Sequence, residues 1–146
     1  MNKNRGLFII FMFTAVCSLV YSCQSERELN YARYYTNGKK LYDISCQNCH
    51  GKNGEGLGQL IPPLTDTLYI QKNINSIACT IKFGINDIIK VHGVTYAEQM
   101  PPNSQLADID IAALVTYISN SFGNQQGLYE VNQASVDLKK CEEVYK

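Results

Sequence analysis

Apolar and polar residues along this chain fall into blocks with different periods. From Leu7 to Val20 the sequence is apolar except for Thr14 and Ser18, a run of about fourteen residues against the roughly 18 that a membrane-spanning helix needs. Glu26 to Thr36 is polar and tyrosine-containing with no clear period, which reads as a short tether. Asn37 then reads as the cap of a helix whose apolar positions Leu41, Tyr42 and Ile44 lead into Cys46. Four glycines between Gly51 and Gly58 demand a loop, followed by Ile61-Pro62-Pro63-Leu64. Ile74, Ile77, Ala78 and Ile81 stand at i, i+3, i+4 and i+7, with Asn73 in front and Gly84 behind, which predicts an amphipathic helix with both stop signals. Ile89-Lys90-Val91 and Val94-Thr95-Tyr96 flank His92-Gly93, a tight hairpin. A further helix is expected from a cap at Asp108 to Gly123, burying Ile111, Leu114, Val115, Ile118 and Phe122. A last short helix starting at Ser135 would carry Leu138, Cys141 and Tyr145 along one side. No internal repeat or low-complexity block is present.

Lys3 and Arg5 precede the first apolar run and Val20-Tyr21-Ser22-Cys23 closes it, which is the layout of an export signal. A cysteine behind a small residue at this point resembles a bacterial lipobox, with Tyr21 standing where a small residue is usual. On that reading residues 1–22 are a lipoprotein-type signal, Cys23 takes the lipid, and 23–36 form the tether. A simple cleaved signal with a soluble periplasmic product, or an uncleaved N-terminal anchor, are the alternatives. From Cys23 on, 124 residues remain, one small domain's worth. Without Lys3 and Arg5 there are 13 acidic and 11 basic residues, a balance that gives nucleic acid no reason to bind. Basic residues stop at Lys90 and resume at Lys139, leaving Glu98, Asp108, Asp110, Glu130 and Asp137 without a counter-charge. Such a bias predicts a solvated acidic face, or a docking face for a basic partner.

The chemistry concentrates in "SCQNCHGKNGEG", residues 45–56. Two cysteines three apart with a histidine directly behind can hold a haem, close a redox disulfide, or contribute to a zinc site. Residues three apart on a helical turn place both sulfurs on one face, as two thioether bonds to haem vinyl groups require, and the next residue brings its imidazole to the iron. A second axial ligand is then needed. After signal removal one methionine remains, Met100, and one other histidine, His92. Pro101 and Pro102 stiffen the chain beside the Met100 sulfur, whereas His92 occupies a turn position that ordinarily faces solvent. A thiol oxidoreductase would use Cys46 and Cys49 as a reactive pair, but such pairs sit at a helix start after a buried strand, and no βαβ pattern precedes Cys46. A zinc site could recruit Cys46, Cys49, His50 or His92, and Cys79 or Cys141. It would leave the Met100 loop unexplained.

From about Asn37 to Asn124 the chain resembles a small single-haem cytochrome c of the class I type, similar to bacterial members that act with respiratory oxidases and dehydrogenases. The residues that carry the resemblance are "LYDISCQNCHGKNGEGLGQLIPPL", "FGINDIIKVHGVTYAEQMPP" and "DIDIAALVTYISNSFGN". It implies an all-α fold with three to five helices around one haem c, attached through Cys46 and Cys49 with His50 and Met100 as axial ligands. It also implies that Pro62 offers its carbonyl to the proximal imidazole and that Tyr96 lies near the haem, within reach of a propionate. The chain departs from the pattern in having no Trp, so Phe122 must fill that space, and in carrying an extension over 125–146 beyond the domain at 37–124. With Cys17 lost, Cys23 lipidated and Cys46 and Cys49 on haem, Cys79 and Cys141 are left over. Cys79 lies off the apolar stripe of its helix, and free exposed thiols do not persist in an oxidising compartment. A Cys79 to Cys141 disulfide stapling the tail is therefore expected, two separate buried cysteines being the alternative.

The resemblance implies an electron carrier, not an enzyme, that binds no small-molecule substrate. Its partners would be a quinol-oxidising complex or dehydrogenase and a terminal oxidase or reductase, at the outer face of a bacterial membrane and tethered there by the lipid.

Overall fold

The computed structural model describes residues 3–142, with backbone alone for 3, 4 and 19–25, so the side chain of Cys23 and all of Tyr145 lie outside the described residues. The chain divides into two compact units, 1–32 and 33–146. Its elements in order are α1 (Lys3–Ser45), α2 (Gln47–His50), α3 (Thr67–Phe83), β1 (Ile89–Val91), β2 (Val94–Tyr96), α4 (Asp108–Ile118) and α5 (Val131–Glu142). The fold is all-α as expected, with one short hairpin.

The first unit is helical, and Leu7, Phe8, Ile9, Ile10, Phe11 and Phe13 are all exposed on it. Among the described residues no helix is long and apolar enough to cross a membrane. Residues 23–36 are helical where a tether was expected, and the second unit begins at Arg33, ahead of Asn37. Asn37 is therefore inside α1 and caps nothing. The tyrosines explain the continuation, because Tyr34 and Tyr35 pack on the core of the second unit and give this stretch an inward face.

In the second unit α1 crosses α4 at Gly38, where a Cβ would stand 2.0 Å from the Ala113 carbonyl oxygen. Only glycine permits that approach. Around the crossing Tyr35 and Tyr42 lie 5.1 Å and 5.3 Å from the Tyr117 ring, and Tyr42 lies 5.3 Å from Phe122. These tilted and edge contacts suit aromatic quadrupoles. α4 ends at Ile118, short of Gly123, because Asn124 N bonds back to Ser121 O and Phe122 takes a positive φ of 58°. That turn lays the Phe122 ring over Gly54.

α3 starts at Thr67, six residues ahead of the apolar stripe's apparent cap. Asp66 accepts from Leu68 N at 3.1 Å and Tyr69 N at 3.0 Å, satisfying two orphan donors, while the Asn73 amide bonds back to Tyr69 O inside the helix. Gly84 closes the helix as expected, its N–H bonding to Thr80 O. The hairpin also forms as expected, and positive φ at both His92 and Gly93 gives the type I′ geometry that fits strand twist.

The extension is part of the second unit. α5 starts at Val131, ahead of Ser135, and buries Ala134, Asp137, Leu138 and Cys141. Cys79 and Cys141 are bridged, with Cα atoms 6.0 Å apart. Thr116 and Tyr129 exchange two hydrogen bonds of 3.1 Å, and the Tyr129 hydroxyl donates to Asp137 at 2.8 Å. Gln133 and Lys140 also donate to that carboxylate. Asp137, 2% exposed, is thus a buried charge with three donors. Of the expected acidic face only Asp137 is lost to the interior. Asp108 accepts from Ser135 and Asp110 from Ala107 N, both half-exposed, while Glu98 and Glu130 are exposed.

Candidate functional site

The Cys46 carbonyl accepts from both Cys49 N at 3.1 Å and His50 N at 2.9 Å, which winds the motif into the single turn of α2. Tyr42 braces it by donating to Gly51 O at 2.6 Å. Cys46 is buried and Cys49 exposed. Burial, with Cys49 adding, pushes the Cys46 thiol up to about 11. A thiol oxidoreductase needs the opposite shift.

His50 Nδ1 lies 3.3 Å from the Pro62 carbonyl. That oxygen can only accept, so Nδ1 carries the hydrogen and Nε2 keeps its lone pair, the state required of a metal ligand. Burial lowers the imidazole pKa and the Pro62 bond opposes it, so the ring is neutral at neutral pH. Gly56 makes this contact possible. At its φ of 69° a Cβ would fall 2.3 Å from Ile61 O and 3.0 Å from Pro62 O, in the path of the segment that presents the carbonyl.

Met100 is fixed through its backbone. Ile85 N donates to Met100 O at 3.0 Å and Met100 N to Ile85 O at 2.9 Å. Gly84 allows the two segments to close, since a Cβ there would meet Met100 O at 2.4 Å.

Cys46, His50, Pro62 and Met100 all line one cavity of about 240 Å³, walled largely by apolar side chains such as Ile70, Ile77, Ile81 and Val91. Cys49 is exposed and does not line it. Tyr96 is buried in the hairpin opposite Ile89 and does not line the cavity, whereas Ile89 and Val91 on the facing strand do. His92 is 86% exposed and points its Nδ1 at Asp66, 3.6 Å away, so it is not at the cavity. Tyr69, Asn73 and Ile85 belong to the site and were not read from sequence. The signal for Ile85 lay in the glycine before it, read only as a helix stop.

One imidazole, one thioether and one thiol on an apolar cavity, with the second thiol three residues from the first, are the donors and surroundings a haem requires, so the residues present fit the group. A zinc site fits less well. Cys79 and Cys141 are joined to each other, and among the described residues no three His, Cys, Asp or Glu side chains gather as zinc ligands.

The family model described as Cytochrome c matches residues 35–122. The chain belongs to the cytochrome c family. Cytochromes c carry covalently bound haem and transfer electrons, and this chain shares that cofactor and role. It is 29% identical over 92 residues to cytochrome c-552 of Thermus thermophilus, covering 60% of this chain and 70% of that protein. The cytochrome c-552 of a second strain of that species gives the same identity, with 62% of its length covered. The cytochrome subunit of fructose dehydrogenase from Gluconobacter japonicus is 27% identical over 111 residues, 73% of this chain and 23% of that subunit. The match thus spans less than two thirds of two of these relatives.

Proposed function

We propose that this cytochrome c carries one haem, joined by thioether bonds through Cys46 and Cys49 with His50 and Met100 as axial ligands. It passes single electrons between respiratory redox proteins at the outer face of a bacterial membrane. The observation that carries this reading is that His50 and Met100, distant in sequence, line the same apolar cavity as Cys46. Bound haem supplies an iron that gains and loses one electron. His50 contributes a neutral Nε2 whose ring plane Pro62 fixes. The Met100 thioether and the apolar walls would both favour the ferrous state of a bound iron and so raise its potential. His50 and Met100 would both hold the bound iron, leaving no open position for a small molecule, so the chain acts as a carrier, alone or as a subunit.

Donor and acceptor are redox proteins, a quinol-oxidising complex or dehydrogenase on one side and a terminal oxidase or reductase on the other. The likeness to a dehydrogenase's cytochrome subunit supports the first. Leu57, Leu60, Leu68 and Ile88 are exposed on segments that neighbour the cavity, which suits the small interfaces of transient electron-transfer encounters. Export and a lipid on Cys23 are supported by Lys3, Arg5 and the apolar run that follows.

The deciding experiment is the visible spectrum of the dithionite-reduced protein before and after acid extraction of loosely held haem, for wild type and Cys46→Ala with Cys49→Ala. Sharp α and β bands that survive extraction only in wild type are expected. A colourless wild type, made in a host able to attach haem, would sink the reading.

A further inference from the structure

The loop that presents Met100 hangs from the last turn of α3. Pro101 and Pro102 have no N–H to give, so the backbone donors of this stretch are Met100 and Asn103. Met100 N goes to Ile85 O, and Asn103 N goes to Ile81 O at 3.0 Å. The next segment is closed by one side chain. Lys82 Nζ donates to Ser104 O at 2.8 Å and to Leu106 O at 2.6 Å. Among the described residues neither carbonyl takes a backbone N–H, and no carboxylate pairs with Lys82. The ammonium is therefore committed to two carbonyls beside the negative end of α3, where a cation is also favoured.

We propose that Lys82 is a positioning residue for the axial methionine: by drawing Ser104 and Leu106 onto the end of α3 it closes the Met100 loop and holds the thioether in the cavity. The inference rests on Met100 as the ligand. Ile85 clasps the loop at its start, Asn103 ties it to Ile81 O through its N–H and its side-chain amide, and Lys82 clasps its end. Without the Lys82 clasp two carbonyls lose their donor, the loop opens more often, and an external ligand competes better for the position Met100 vacates.

The test is an imidazole titration of the ferric full-length holoprotein, read in the Soret band. It uses wild type, Lys82→Met, Lys82→Arg, Lys82→Gln and Met100→Ala. Loss of one charge-assisted hydrogen bond shifts an opening equilibrium roughly tenfold and loss of two shifts it more. Lys82→Met should therefore bind imidazole at least about tenfold more tightly than wild type. Before imidazole is added it should keep the charge-transfer band of the methionine–iron bond, which shows that it is folded with the ligand in place. Lys82→Arg, which retains donors and charge, should return close to wild type, and Lys82→Gln, with one amide donor group, should fall between. Wild-type affinity in both Lys82→Met and Lys82→Gln overturns the proposal. So does an arginine variant as leaky as the methionine one, which would assign the effect to side-chain bulk. If Met100→Ala binds imidazole no better than wild type, Met100 is not the ligand, and that failure is separate from one confined to the Lys82 variants.

Discussion

Removing the Cys79 to Cys141 bridge isolates what the tail contributes to stability. The two cysteines are 62 residues apart in sequence, and closing a loop of that length restricts the unfolded chain by about 4 kcal/mol at 25 °C. The folded side should change little. Ala134 and Leu138 remain in the core, Thr116 and Tyr129 keep their reciprocal hydrogen bonds, and Asp137 keeps its donors. The tail should thus stay docked in Cys79→Ser with Cys141→Ser, and the loss should appear in global unfolding. Guanidinium denaturation of the holoprotein, followed by haem absorbance and by far-UV circular dichroism, should show a lower midpoint, equivalent to about 2–4 kcal/mol, at the same place by both probes. An unchanged midpoint would refute the chain-entropy reasoning. Two separate transitions would refute the single compact unit, because the tail would then unfold by itself.

Three further outcomes are expected. Gly56→Ala forces a Cβ against the Ile61 and Pro62 carbonyls at a positive φ, so the holoprotein should lose about 1–3 kcal/mol in denaturant unfolding and its potential should shift as His50 loses its partner; wild-type values for both would refute the role given to Gly56. Burial raises the Asp137 pKa, but hydrogen bonds from Gln133, Tyr129 and Lys140 outweigh it and hold the carboxyl below its ordinary value. Its contribution is therefore present above the unfolded pKa and lost as pH falls through the folded one. Asp137→Asn should cost about 2 kcal/mol at neutral pH and converge on wild type in acid; a difference independent of pH would contradict this. Cys23→Ala should release the protein from membranes in fractionation, and continued membrane retention would assign the anchor to the signal helix itself.

How much of this was legible follows from where the information lies. The thiol pair and His50 stand within one turn and Met100 is followed by two prolines, so local chemistry announces them, while the role of Pro62 came from family likeness. The hairpin was readable because His92-Gly93 names its turn type. The start of α3 was missed because the apolar stripe begins at Ile70, a turn ahead of the apparent cap Asn73, while the true cap is the single side chain of Asp66. α1 runs on through 23–36 because Tyr34 and Tyr35 find partners on distant elements, and no local period shows that. Asp137 looked like surface charge because the packing of α5 that buries it is not local, and Asp108 because its partner Ser135 lies 27 residues on. Tyr96 was placed by family likeness, and the pairing with Ile89 holds it in the hairpin.

With His50 and Met100 holding the iron as proposed, the support around the two side chains would govern how the carrier works. Outer-sphere electron transfer is fast when the ligand set changes little between oxidation states, which requires ligand atoms that do not move when the iron's charge changes. Here both side chains are held by groups whose own positions are set by backbone. The Cys46 carbonyl fixes the chain at His50, and Pro62, brought close by Gly56, fixes the ring. Met100 is tied on both its N–H and its carbonyl to Ile85, next to the end of α3. α3 therefore serves three tasks at once. Ile77 and Ile81 wall the cavity, Cys79 takes the tail, and its last turn carries the methionine loop. Through the Cys79 to Cys141 bridge the tail is fastened to the same helix whose last turn carries the Met100 loop, while no tail residue lines the cavity.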